Sequence, residues 1–170
     1  MTKIILLLTL CGSLWGCVGV PATVKPVQGF DAQRYLGTWH EIARLENSFE
    51  TGLEQISAQY SLREDGDIRV LNRGYDPVQQ RWKEAEGKAV FVGPPTEGRL
   101  KVSFFGPFYG AYNIIELGDD YNYALVSGPD YSYLWILSRT PQLPAPVLKK
   151  LLVQAKLLGF DTDKLIYVKQ

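Results

Sequence analysis

The chain has 170 residues, 46% of them hydrophobic and 12% aromatic, enough apolar material for one domain with a sizeable core. Eighteen basic residues balance eighteen acidic ones, which argues against nucleic acid or a strongly anionic surface as the partner. The two cysteines, Cys11 and Cys17, both precede the body of the chain, so no disulfide staples it and its stability rests on packing.

The first element is a leader. Lys3 supplies a positive start, residues 4–10 an apolar run, and Leu14-Trp15-Gly16-Cys17 a small-residue cleavage site. The run is too short to cross a bilayer by itself. The Leu-x-Gly-Cys ending resembles a bacterial lipoprotein signal, which implies cleavage before Cys17 and lipid attachment to it. Val18 stands where an aspartate would resemble an inner-membrane retention signal, so the expected location is the outer membrane, on its periplasmic side. Residues 1–16 are therefore read as a signal peptide and 17–29 as a lipidated tether, extended by Pro21 and Pro26. Removing the leader leaves 154 residues with 17 basic and 18 acidic side chains.

From Phe30 onward short apolar stretches alternate with turn residues, which predicts antiparallel strands rather than strand–helix–strand units. Asp31 to Leu36 reads as a capped turn. Eight strands follow, over 37–45, 55–63, 68–75, 82–92, 99–105, 111–117, 123–127 and 133–138. Glu64-Asp65-Gly66-Asp67 supplies a hairpin with a positive-φ residue, and Gly93-Pro94-Pro95-Thr96 terminates a strand. A helix is predicted over 144–158, with Val147, Leu148, Leu151, Leu152, Ala155 and Leu158 on one stripe and Gly159 as its stop. That stripe is expected to lie on the outside of a sheet wall, with a short final strand over 165–169.

Gly37-Thr38-Trp39 opens the first strand, and Trp135-Ile136-Leu137-Ser138-Arg139 ends the eighth. Together with Tyr35-Leu36, the run from Phe104 through Gly106-Pro107 to Gly110, Tyr123-Ala124-Leu125-Val126, and the Arg139-Thr140-Pro141 exit, these motifs resemble a bacterial lipocalin of the apolipoprotein D type across nearly all of residues 30–170. The resemblance implies an all-β fold, an eight-stranded antiparallel up-and-down β-barrel with one C-terminal α-helix packed outside. It also implies that Trp39 plugs the closed end and Arg139 lies across its ring, making Gly37, Trp39 and Arg139 a structural signature. A guanidinium on an indole gains cation–π energy and can cap carbonyls where strands converge.

With Trp39 set inward, period-two alternation places Glu41 and Ala43 in the barrel and His40, Ile42 and Arg44 outside. The same parity gives a candidate ligand lining of Ala43, Ala58, Tyr60, Val70, Asn72, Ala89, Phe91, Leu100, Val102, Phe104, Asn113 and Trp135. Asn113-Ile115-Leu117 is chosen as the inward set of the sixth strand because it leaves Glu116 in water. Small residues such as Ala58, Ala85, Gly87 and Ala124 would leave a hole, unless they make room for Trp135, Phe91 and Phe104 opposite them.

An apolar hole with few polar groups suits a fatty acid, a lysophospholipid or another elongated amphiphile, and the resemblance favours a lipid that is stored or transported. Residues 46–53 resemble the long lipocalin loop that acts as a lid at the mouth. Two other classes compete. An isomerase-type enzyme would use Glu41, an inward carboxylate whose ordinary role is a hydrogen bond near the base, to a tyrosine or to Arg139. A tethered interaction module would use the barrel as a scaffold and Phe105, Phe108, Tyr109, Tyr131 and Tyr133 as a homodimer surface. His40 is the single histidine, so no metal or cofactor is expected.

Overall fold

The computed structural model describes residues 18–170; the leader and Cys17 lie outside the described residues. After the short helix α1 (Ala32–Tyr35) come β1 (Gly37–Arg44), β2 (Glu54–Leu62), β3 (Ile68–Asp76), β4 (Arg81–Phe91), β5 (Arg99–Phe105), β6 (Phe108–Leu117), β7 (Tyr123–Ser127) and β8 (Leu134–Ser138). The helix α2 (Ala145–Leu157) and the two-residue strand β9 (Ile166–Tyr167) complete the chain. Each of β1 to β8 pairs antiparallel with the next, and β8 returns to β1, so the sheet closes into a barrel.

Closure is completed by the C-terminal residues. β1 pairs with β2 only from Gly37↔Tyr60 to His40↔Ser57. Beyond that point β9 pairs with Ala43 and Arg44, the Gln55 N–H donates to the Lys169 carbonyl at 2.7 Å, and the Gln170 side chain donates to the carbonyls of Glu41 and Ile56 at 2.6 and 2.9 Å. The last five residues thus fill a seam that would otherwise expose unpaired edges.

Alternation sorts the apolar side chains into two layers. Trp39, Tyr60, Val70, Leu100, Ile114, Val126 and Leu137 belong to the barrel interior. Ile42, Leu125, Leu134 and Ile136 form an outer layer with Leu151 and Ala155 of α2, which is where the apolar stripe of that helix was expected. Pro144 caps α2 and Gly159, at φ +99°, ends it. Among β1 to β8 only the start of β6 departs appreciably from the expected bounds, three residues earlier, because Gly106 and Pro107 alone form the hairpin and Phe105 pairs with Phe108; the final strand, expected over 165–169, is confined to Ile166–Tyr167.

Residues 18–29, expected as an extended tether, run along the barrel wall. The Val27 N–H donates to Ile114 O and the Gly98 N–H to Val27 O, both at 2.9 Å, Gln28 bridges Glu97, and Val24 is buried in the outer layer. Backbone pairing and an anchoring valine turn the segment into a strap on the barrel wall.

Candidate ligand cavity

The closed end is built around Trp39. Asp31 caps α1 by accepting from the Gln33 N–H, and α1 crosses the base so that Tyr35 O accepts from Trp39 Nε1 at 2.8 Å. The Arg139 guanidinium lies 4.0 Å from the Trp39 ring. It donates to three carbonyls, those of Thr38, Arg34 and Tyr121, at 3.1, 2.7 and 3.0 Å. Gly37 holds φ +96°, and a Cβ there would sit 3.2 Å from Arg139 Nη1, so the glycine serves both the backbone turn and the arginine.

Above this floor Tyr112 links two buried tyrosines: its hydroxyl lies 2.7 Å from that of Tyr35 and accepts from Tyr60 at 2.9 Å. Burial holds all three phenols in their neutral form, pushing each pKa above its ordinary value.

Ala58, Tyr60, Val70, Ala89, Phe91, Leu100, Val102, Phe104 and Trp135 all face the interior, and Asn72 shares that face through its pairings with Ala58 and Ala85. Ala58, Asn72, Phe91, Val102, Phe104 and Trp135 remain partly exposed, and Ala85 is exposed. These residues lie on the inward face of the closed sheet, with Ala85 and Phe104 beside the part of β4 that β5 does not pair. Gly87 does make room for a neighbour, because a Cβ there would meet the Phe104 ring at 2.8 Å. Asn72 Oδ1 is buried without a protein partner.

Two candidates fall outside the lumen, each because a β-bulge resets the alternation. In β1 the register against β8 shifts between Glu41 and Ala43. Ala43 therefore joins Ile42 in the layer beneath α2, and Arg44, expected in solvent, turns inward opposite Trp135. In β6 a shift between Ile114 and Glu116 lets Tyr112, Ile114 and Leu117 all pack inward. Asn113 faces the outer wall, where its amide donates to Gly19 O and Gly128 O at 3.2 and 3.1 Å, and Ile115 joins the outer layer. Glu116 still avoids burial in the barrel, held by Lys150 and Gln154 of α2 at 2.6 and 2.9 Å.

The turn of Arg44 creates a polar cluster near the mouth that strand parity had hidden. Arg44 Nη1 donates to Glu41 Oε1 at 3.1 Å and Nη2 to Glu50 O at 2.8 Å. Glu50 Oε2 accepts from Asn47 Nδ2 at 2.6 Å and from Trp135 Nε1 at 3.1 Å. Glu41 is thus partnered near the mouth by Arg44 rather than near the base by a tyrosine or Arg139. Burial, then the charge of Glu50, raises its pKa well above the usual carboxylate range despite the guanidinium. The same bonds fasten the loop over 46–53 to the barrel wall.

Residues 30–170 match the family of lipocalin-like domains. The chain is 56% identical over 165 residues to outer membrane lipoprotein Blc of Vibrio cholerae, covering 96% of both chains. It is 55% identical over 150 residues to the protein of that name in Escherichia coli, covering 88% of this chain and 85% of that one. Temperature-induced lipocalin-1 of Arabidopsis thaliana is 36% identical, with 84% and 80% covered. Among solved structures, insecticyanin of the tobacco hornworm shares the fold, with a TM-score of 0.72 at 24% identity over 89% of this chain and 87% of that one. The closed eight-stranded barrel, its Trp39–Arg139 base and this similarity across the whole domain establish that the chain belongs to the lipocalin family.

Proposed function

We propose that the protein is a membrane-anchored lipid-binding protein that takes a fatty acid, a lysophospholipid or a similar amphiphile into its barrel and stores or transports it. The reading is supported by the inward face of the closed barrel, where Ala58, Tyr60, Val70, Asn72, Ala89, Phe91, Leu100, Val102, Phe104 and Trp135 would line the ligand and several of them remain partly exposed. At about 0.8 kcal/mol per buried methylene, roughly twelve carbons contribute on the order of 10 kcal/mol gross. Association costs of about 4 to 15 kcal/mol reduce this to an affinity in the micromolar range, with weak chemical selectivity.

Residues 1–16 act as the signal peptide in this reading, Cys17 carries the lipid, and the anchor lies in the outer membrane on the periplasmic side. The names of the bacterial relatives, outer membrane lipoproteins, support that placement. Binding rather than catalysis is favoured because Glu41, the one carboxylate considered as a general acid, is occupied by Arg44. Ligand extraction followed by mass spectrometry on protein purified from membranes tests the proposal. Single-chain lipids in near-stoichiometric amounts are expected, and an empty barrel that also fails to take up a fluorescent fatty acid would count against it.

A further inference from the structure

We infer that the outer wall carries a second binding site, a cleft between the strap and the start of β5 that takes the phosphate group of a small organic ester. The site lies outside the barrel and is independent of the lipid-binding reading above.

The strap is fixed to the wall at two places. Val24 is buried in the outer layer, and the backbone of Val27 pairs with Gly98 and Ile114. Lys25 and Pro26, between these points, help to line a cleft of about 420 Å³. Val20, Val24 and Pro26 give the cleft an apolar side, and Lys25, Glu97 and Arg99 a charged one. Two cations against one carboxylate leave it positive.

Neither cation has its anion. Arg99 points outward, since Leu100 and Val102 face the interior, and its Nε is buried without a hydrogen-bond partner among the described residues. Among those residues neither Arg99 nor Lys25 forms an ion pair. The Glu97 carboxylate lies against the turn instead, where a Cβ on Gly93 would sit 3.2 Å from its Oε2. A buried charged donor is costly to leave unmet, so the acceptor is assigned to a ligand. Nε and one Nη of a guanidinium form a fork that matches two oxygens of a phosphate. Phosphate keeps a further oxygen for Lys25, whereas a carboxylate has only the two that the fork takes. The apolar side of the cleft then backs the organic part of the ester.

The full chain in a neutral detergent is titrated with glycerol 3-phosphate, inorganic phosphate or acetate at constant ionic strength, while NMR follows the Arg99 Nε–H and calorimetry measures affinity. Glycerol 3-phosphate should shift that resonance saturably and bind at least about threefold more tightly than inorganic phosphate; acetate should give no saturable change. Arg99→Gln should weaken binding of the ester by at least about tenfold and Lys25→Gln by about threefold. Lys101→Gln should leave it unchanged, because this lysine of the same strand lies over the Tyr109 ring. No saturable shift, an equal response to acetate, or an equal loss in Lys101→Gln overturns the site. Inorganic phosphate that binds as tightly as the ester overturns the assignment of its ligand. Should Arg99→Gln fail to fold, Lys25→Gln on the exposed part of the strap decides, and unchanged affinity there overturns the proposal.

Discussion

Arg139 covers Trp39 from below, 4.0 Å from the ring, while its guanidinium ties together carbonyls of α1, β1 and the β6–β7 turn. Trp39 has no exposed surface, so Trp39→Ala should cost about 3 to 5 kcal/mol as a large core truncation. Arg139→Ala should cost less, and the two should couple by about 0.5 to 3 kcal/mol because they share one contact. Denaturant unfolding of both single variants and the double variant measures this coupling, and additive losses would refute the stacked arrangement.

The tyrosine relay predicts an asymmetry among three phenols. Tyr112 serves both Tyr35 and Tyr60, so Tyr112→Phe deprives two buried hydroxyls of their partner. Each unsatisfied buried group costs about 1 to 3 kcal/mol. Tyr60→Phe deprives none, since Tyr112 keeps Tyr35, and should be the milder change. Equal losses in the two variants, read from urea midpoints, would show that the relay does not set the floor of the lumen.

How far the sequence could be read follows from where periodicity is unbroken. In β2, β3, β5, β7 and β8 the alternation of side chains placed Ala58, Tyr60, Val70, Leu100, Val102, Val126 and Trp135 on the face they occupy. The stripe of α2 and its proline and glycine ends were equally legible. Ala43 and Asn113 were misplaced because a β-bulge inserts one residue without any side-chain signature, and both faces of β1 and β6 are apolar, one toward the lumen and one toward α2 or the strap. The Arg44–Glu41–Glu50 cluster was hidden by the same bulge. For Tyr112 a signal did exist: the rejected register of the sixth strand carried two large side chains, Tyr112 and Ile114, inward, where the chosen one put an asparagine. Pairing of the strap with the barrel depends on backbone donors of Val27 and Gly98, which no side-chain pattern reports.

Glu41 should leave a specific mark on the pH dependence of stability. Its carboxyl is held above the ordinary glutamate value of 4.5, first by burial and then by Glu50. The folded state therefore keeps a proton that the unfolded chain releases. That stabilising contribution is full below about 4.5 and is lost as pH rises through the elevated folded value. Glu41→Gln keeps the shape and an acceptor for Arg44 but cannot ionise. Relative to this variant, wild type should therefore lose stability as pH rises from about 4 to 8. A wild type that gains on the variant over the same range would mean that Glu41 is the ionised partner of Arg44.

Filling the lumen separates binding from stability. Val102 faces the interior from the middle of β5, opposite Ala89 of β4 and Gly110 of β6, and remains partly exposed there. In a solidly packed barrel Val102→Trp would incur an overpacking cost of about 1 to 3 kcal/mol. With free volume beside Val102, the indole occupies space that an acyl chain needs, and the fold is spared. The expected result is a fluorescent fatty-acid affinity weakened by at least about tenfold, or roughly 1.4 kcal/mol, with a melting temperature close to wild type. His40→Ala should leave both unchanged, because His40 pairs with Ser57 and Ser138 on the face opposite that of Trp39. Unaltered probe affinity in a folded Val102→Trp protein would move the binding site out of the barrel. A collapse in stability would instead mean that the centre is filled by its own side chains, and the apolar lining would then be core rather than cavity.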